Sequence, residues 1–143
     1  MGKKQNDIGR ETEEKIAEFF NSFDYWVYVL PKKINGQPFD IIARKENDVW
    51  FVDAKHVNIK DASFSFNNVE PNQITSMKYC NVVANIHDNM GFIIVWDRTP
   101  EKYYYFPYGW FEDMKSRGEK SVKIEKLLDL ERIINKNDGN KNK

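Results

Sequence analysis

Two runs of β-branched and aromatic residues, separated by a short polar segment, constrain the fold of this chain more than any other feature. The runs are Phe39 to Arg44 and Val49 to Lys55, and residues 45–48 between them are all polar. Such runs favour β-strands, and a polar loop of four residues suits an antiparallel hairpin. The pattern therefore predicts a hairpin in which Arg44 pairs with Val49.

The predicted register brings two acidic residues together. Counting back along both strands places Asp40 directly opposite Asp53. Because side chains alternate along a strand, Asp53 and Lys55 point to one face, and the residues between them point to the other, core-facing side. A slip of one residue would separate the two carboxylates, so this inference depends on the length of the loop.

Opposed carboxylates in a sheet are destabilising unless a cation compensates them. Either Lys55 or a divalent cation could do so. Mg²⁺ binds carboxylate oxygens, keeps positions for water and phosphate, and lowers the pKa of an attacking water. Lys55 could then orient or deprotonate that water or stabilise the pentavalent phosphorus. Asp40, Asp53 and Lys55 are thus suited to phosphodiester hydrolysis, although an inert surface ion pair has the same pattern.

The remaining patterns predict an α/β order, αβββαβ, followed by a strand and peripheral helices. The predicted elements are a helix from about Glu11 to Phe23, a buried strand from Tyr25 to Leu30, a second helix from Pro71 to about Ile86, a central strand from Gly91 to Asp97, and a strand from Lys102 to Phe106 paired with it across a turn containing Pro100.

Two further polar residues could face the carboxylate pair. Glu13 lies at the edge of the apolar face of the first helix, and Gln73 shares a stripe with Met77 and Cys80 on the second. Each has a simpler interpretation, because Glu13 could complement the helix dipole and Gln73 could cap a helix end.

Composition indicates one globular domain spanning residues 1–143. The chain has 22 basic and 22 acidic residues, so bulk charge gives no affinity for polyanions, although a local basic groove remains open. A single Cys80 allows no internal disulfide, and no apolar run reaches the roughly 18 residues of a membrane span. We therefore expect a cytoplasmic protein without membrane contact. The polar ends, about residues 1–7 and 135–143, are expected to be loosely held.

Several motifs together resemble the PD-(D/E)XK nucleases. They are Gly9 with Glu13 four residues later, Phe39-Asp40, and Val52-Asp53-Ala54-Lys55. The segments SFSFNNVEPNQITSM at 63–77 and GFIIVWDRTPEKYYYFPYGWF at 91–111 are similar to those of RecU-type Holliday junction resolvases. This resemblance covers roughly residues 9–111.

The resemblance implies a restriction-endonuclease-like αβββαβ core, with a mixed central sheet flanked by helices. It also implies that Asp40, Asp53 and the Ala54 backbone carbonyl bind a metal ion, with Lys55 as the catalytic lysine. Glu13 would be an additional acidic residue, and Gln73 the motif glutamine of the second helix. Members of that family act as homodimers that cut four-way DNA junctions with Mg²⁺, for which Mn²⁺ is a possible substitute.

Basic residues near the predicted site could form a rim that contacts DNA phosphates. The candidates are Arg10, Lys32, Lys33, Arg44, Lys45 and Lys60. Ordinary solvated charge is the alternative interpretation, since each has acidic neighbours.

The leading hypothesis is a homodimeric junction resolvase acting in DNA recombination and repair. RecU proteins carry a long stalk before the first catalytic aspartate, whereas only residues 31–38 separate the two predicted strands here, and they are expected to form a short loop. The alternatives are therefore a stalkless nuclease acting on other branched or linear DNA, and a non-catalytic DNA-binding domain of the same fold.

Overall fold

The computed structural model describes residues 5–31, 37–85 and 89–141, and within them four helices and eight strands. In chain order these are α1 (Gln5–Ser22), β1 (Trp26–Val29), β2 (Ile41–Lys45), β3 (Asp48–Val57), β4 (Ser63–Ser65), α2 (Pro71–Val82), β5 (Met90–Trp96), β6 (Lys102–Pro107), α3 (Tyr108–Ser116), β7 (Ser121–Lys123), β8 (Leu128–Asp129) and α4 (Leu130–Lys141).

Six strands form a mixed central sheet in the order β1-β2-β3-β5-β6-β8. β3 and β5 are parallel, joined by a crossover that contains α2, and the other neighbours are antiparallel. The predicted pairing of β5 with β6 is confirmed, as is the mixed α/β fold with flanking helices. The small sheet of β4 and β7 was not predicted, because each of its strands has only three residues.

The hairpin of β2 and β3 has the predicted register, since Arg44 pairs with Val49. The ladder continues by one pair, Lys45 with Asp48, so the loop contains two residues rather than four. One of them, Glu46, has a φ of +55°, and the turn types favoured in two-residue hairpin loops have a positive φ at this first position. Shortening the loop by one residue at each end leaves the register unchanged.

Apolar side chains cover both faces of the sheet, because helices lie on each side. α1 and α4 cover one face with a core that includes Ile16, Phe20, Trp50, Val52 and Leu130. α2 and α3 contribute to the second core, which includes Phe51, Met77, Phe92, Phe106 and Phe111. β3 therefore lies between two cores: Trp50 and Val52 are buried on one face, Asp53 and Val57 on the other, and the remaining residues of the strand are partly buried.

The predicted strand at residues 25–30 is present as β1, but the prediction that it is buried is wrong. β1 is an edge of the central sheet, and Trp26, Tyr28 and Val29 are exposed. A run of apolar residues without alternation is typical of a central strand. Position in a sheet, however, depends on pairing with distant residues, which a local pattern does not contain.

The helix ends also differ from the predicted ones. α1 begins at Gln5 and α4 ends at Lys141, so both extend into the segments that were expected to be loosely held. α2 ends at Val82, and the predicted end, Ile86, lies outside the described residues. In the described part of the chain, no helix is both long and apolar enough to cross a membrane.

Candidate active site

Asp40 lies immediately before β2, where the regular ladder with β3 ends. Its backbone N–H donates to the Val52 carbonyl at 2.9 Å. Its side-chain Oδ2 accepts a hydrogen bond from the Ala54 N–H at 3.0 Å. The Asp40 side chain thus continues the contact of β2 with β3, which places its carboxylate beside Asp53.

Asp53 is the most strongly perturbed group of the site. Its residue is only 3% exposed, and this burial raises the pKa of its carboxyl well above the ordinary range. The nearby Asp40 charge raises the pKa further, while Lys55 opposes the shift. The two carboxylates therefore interact, as the register predicted, and the protein disfavours charge on both at once.

The environment of Asp53 differs from the expected one. The sequence pattern placed Asp53 outside the core, on the face opposite the core-facing side, and this is wrong, because a core covers each face of the sheet. Within the described ranges, its Oδ2 atom is buried and accepts no hydrogen bond of good geometry. Lys55 Nζ lies 3.2 Å from this atom as an ion-pair partner. A buried carboxylate oxygen with so little compensation is suited to a bound cation.

Lys55 points toward Asp53, and its side chain is 19% exposed. Its Nζ donates to the Asn68 backbone carbonyl at 2.9 Å and lies 3.5 Å from Gln73 Oε1. Asn68 ends a short 3₁₀ turn, and buried Gln73 lies in the first turn of α2. The segment that leads into α2 therefore holds the lysine, and no sequence pattern signals the role of the Asn68 carbonyl.

Glu13 is buried in α1, which packs against the first three strands of the sheet. Among the described residues, however, no three His, Cys, Asp or Glu side chains come close enough to bind a metal ion together. The structure thus brings together Asp40, Asp53, Lys55 and Gln73. The role of Glu13 stays a prediction.

The oxygen donors other than Glu13 fit Mg²⁺, because proteins commonly bind this ion through one or two carboxylates while water and substrate phosphates complete the coordination. Asp40 and Asp53 supply the carboxylates. Ala54, predicted to contribute its backbone carbonyl, is held beside them because its N–H donates to Asp40. The buried, poorly compensated Asp53 oxygen is the observation that favours a cation here.

Comparison with known families decides which nucleases this chain is related to. The family model RecU, described as Recombination protein U, matches residues 43–140, which is more than half of the chain. The chain belongs to the RecU family. The predicted relationship is therefore confirmed. The matched span includes Asp53, Lys55 and Gln73, whereas Glu13 and Asp40 precede it.

The fold of this RecU-family protein is also that of a solved structure. Hjc from Archaeoglobus fulgidus, a Holliday junction resolvase from an archaeal hyperthermophile, superimposes with a TM-score of 0.61 at 11% sequence identity. The match covers 88% of this chain and 99% of Hjc. At this identity the likeness concerns the fold, and it confirms the predicted architecture. No curated protein shows significant sequence similarity to the chain.

The predicted DNA-contacting residues of the RecU-family chain lie in different environments. Arg10, Arg44 and Lys60 are exposed, as phosphate contacts require. Lys45 is partly buried, and its Nζ donates to the Phe23 carbonyl at 2.9 Å. This contact ties Lys45 to the end of α1 and makes it the weakest candidate. The other two predicted residues, Lys32 and Lys33, lie outside the described residues.

Proposed function

We propose that this RecU-family protein is a metal-dependent endonuclease that cuts four-way DNA junctions by phosphodiester hydrolysis. The observation that carries the proposal is the buried Asp53 carboxylate, which lies beside Asp40 and 3.2 Å from Lys55. A purely structural site would satisfy such a carboxylate with hydrogen bonds. A catalytic site keeps it available for a cation.

Asp40, Asp53 and the Ala54 carbonyl would hold Mg²⁺, or Mn²⁺ in its place. When bound, the ion would lower the pKa of the attacking water and neutralise charge on the phosphate. Asp40 also positions Ala54 by accepting its N–H at 3.0 Å. One carboxylate thus has two functions, since it fixes the backbone of β3 and supplies a ligand.

Lys55 is proposed to act on the scissile phosphate or the attacking water. An ammonium group has three donors. Lys55 directs one to the Asn68 carbonyl at 2.9 Å and one toward Asp53. The contact with Gln73 is the longest, at 3.5 Å, and is the one that a phosphate oxygen or a water would replace.

Resolution of a four-way junction requires two symmetric cuts, and each chain supplies one candidate site. A closed homodimer would present two such sites related by a two-fold axis, matching the symmetry of the junction. We therefore include homodimerisation in the proposal, and sedimentation of the protein at micromolar concentration tests it.

The experiment compares cleavage of a four-way junction, a linear duplex and a flap, each with and without Mg²⁺. We expect symmetric cuts in the junction that depend on Mg²⁺ and are lost in Lys55→Ala and Asp53→Asn. Asp113→Asn, an exposed aspartate of α3 that pairs with Arg117, is the matched control and should cleave normally.

The outcomes separate the alternatives. Equal cleavage of all three substrates would favour a stalkless nuclease of broader specificity. Junction binding without any cleavage would favour a non-catalytic DNA-binding domain. Cleavage that persists in both Lys55→Ala and Asp53→Asn would overturn the assignment of the site.

A further inference from the structure

Two large aromatic side chains stand exposed beside each other on β1. Trp26 is 62% exposed and Tyr28 is 48% exposed. Their rings are parallel to within 6°, with centroids 6.2 Å apart. Large apolar side chains so exposed on a strand are a frequent sign of a binding surface.

The register places these rings on the same face of the sheet as the candidate active site. Tyr28 lies opposite Ile42, which in turn lies opposite Phe51 of β3. Directly opposed residues share a face, and alternate residues of one strand do too. Asp53 and Lys55 follow Phe51 by two and four residues, so they share the face that Tyr28 occupies.

The opposite face of β1 is already occupied. Val27, which lies between the two aromatic residues, packs against the core that includes Ile16 and Phe20 of α1. This leaves Trp26 and Tyr28 facing away from α1. The aromatic pair is therefore a lateral extension of the active-site face.

The distance from the aromatic pair to the candidate active site corresponds to the length of a few nucleotides. Asp40 lies two residues before Ile42, the partner of Tyr28. From standard strand dimensions, the Cα atom of Tyr28 is roughly 8 Å from that of Asp40 and roughly 12 Å from that of Asp53. At about 3.4 Å per base, this corresponds to roughly two to four steps along a DNA strand.

A cationic side chain completes the surface. Arg44, which is exposed, pairs directly with Trp26 and shares its face. Its Nε donates to the Glu46 carbonyl at 2.8 Å, and the guanidinium has further N–H donors for a phosphate. Aromatic rings beside a cation are the usual composition of surfaces that bind single-stranded nucleic acid, where bases stack on the rings and the cation contacts phosphate. This charge and the continuity with the acidic pair favour DNA over a second copy of the chain as the occupant.

We propose that Trp26 and Tyr28, with Arg44, form a stacking platform for unpaired bases close to the scissile phosphate. A base of an intact duplex reaches such a surface only after it is unstacked and unpaired, at a cost of a few kcal/mol, and this cost is smallest where base pairing is already interrupted, as we expect at a branch point opened by the protein. The platform would therefore favour branched over linear DNA. This inference rests on the proposed function as a DNA nuclease.

The test measures binding in the Asp53→Asn background with EDTA, so that no cleavage occurs. Trp26→Ala and Tyr28→Ala should each weaken binding of a four-way junction by about tenfold, as expected for loss of one base–aromatic stack. Trp26→Phe should retain most of the affinity, because it keeps an aromatic ring. Affinity for a linear duplex should change less than twofold.

Trp110→Ala is the matched control, since Trp110 is also exposed but lies on α3. It should leave both affinities unchanged, and thermal melting of each variant checks its folding. The proposal is overturned if Trp26→Ala and Tyr28→Ala leave junction binding intact, or weaken junction and duplex binding equally. It is also overturned if sedimentation shows that they only convert a dimer to a monomer.

The two proposals can fail separately. Loss of branch selectivity in the platform variants while the parent protein cleaves DNA supports both. Normal Mg²⁺-dependent cleavage with no effect of the platform variants refutes the platform alone. Selective junction binding that depends on Trp26, in a protein that cleaves nothing, refutes the nuclease alone.

Discussion

Two aspartates on the same strand, Asp48 and Asp53 of β3, have opposite environments. The Asp48 carboxylate accepts hydrogen bonds from the Tyr25 hydroxyl, from Trp50 Nε1 at 3.1 Å and from Asn89 Nδ2 at 2.8 Å. The Asp53 Oδ2 atom, by contrast, accepts none within the described residues, and Lys55 at 3.2 Å is its ion-pair partner. This difference supports the proposal that Asp48 serves stability whereas Asp53 serves chemistry.

Cleavage activity should show the largest difference between the two aspartates. We expect Asp53→Asn to lower the rate of junction cleavage by at least about 100-fold, because loss of a carboxylate ligand removes several kcal/mol of charge stabilisation. Asp48→Asn should change the rate by no more than a few-fold in the folded protein. Initial rates at saturating Mg²⁺ measure both, and comparable losses would show that the contrast between the two acids has no catalytic meaning.

Stability should change in the reverse order. Asp48→Asn replaces an acceptor oxygen by a donor in a group that receives three hydrogen bonds, so we expect a loss of about 1–3 kcal/mol in the free energy of unfolding. Asp53→Asn removes a buried, poorly compensated charge and should stabilise the metal-free protein by up to about 1 kcal/mol. Urea unfolding in EDTA compares them. If Asp53→Asn is instead less stable than the parent protein, the ion pair between Asp53 and Lys55 stabilises the folded state by more than burial of the Asp53 charge destabilises it.

The main features of the site could be predicted from sequence because they depend on local geometry. A short polar loop fixes the hairpin register, and the register brings Asp40 to Asp53 and puts Lys55 on the same face. The burial of Asp53 could not be predicted in this way, since it depends on elements far along the chain that cover the second face.

Two other features depended equally on distant pairing. The Asn68 carbonyl that holds Lys55 is a backbone group with no sequence signature. The edge position of β1, with Trp26 exposed, follows from which strands pair rather than from the composition of β1 itself.

Mg²⁺ should raise the melting temperature of the parent protein but not that of a variant without the Asp53 carboxylate. If Mg²⁺ binds between Asp40 and Asp53, ten times its dissociation constant stabilises the folded state by about 1.4 kcal/mol, or roughly 5 °C for a domain of this size. We expect this increase in the parent protein and in Asp48→Asn, but not in Asp53→Asn. Calorimetry with Mg²⁺ and with EDTA measures it, and an equal increase in Asp53→Asn would place the ion elsewhere.

The pH dependence of stability should show the smallest effect. Because the pKa of Asp53 is raised in the folded protein above its ordinary value of 3.8, the folded state holds this proton more tightly than the unfolded state. Below that value the residue is protonated in both states and contributes no difference. As the pH rises, the unfolded state loses the proton first, so the metal-free parent protein loses stability relative to Asp53→Asn until the folded pKa is passed.

The stability gap between the two proteins in EDTA should therefore widen as the pH rises from about 4 and then become constant. Urea unfolding at a series of pH values measures the gap directly. A gap that is independent of pH would mean that Asp53 titrates alike in the folded and unfolded states, and a narrowing gap would mean that Lys55 outweighs burial. In either case, burial of the Asp53 charge would not favour binding of a cation, and the contrast between Asp53 and Asp48 would have no electrostatic basis.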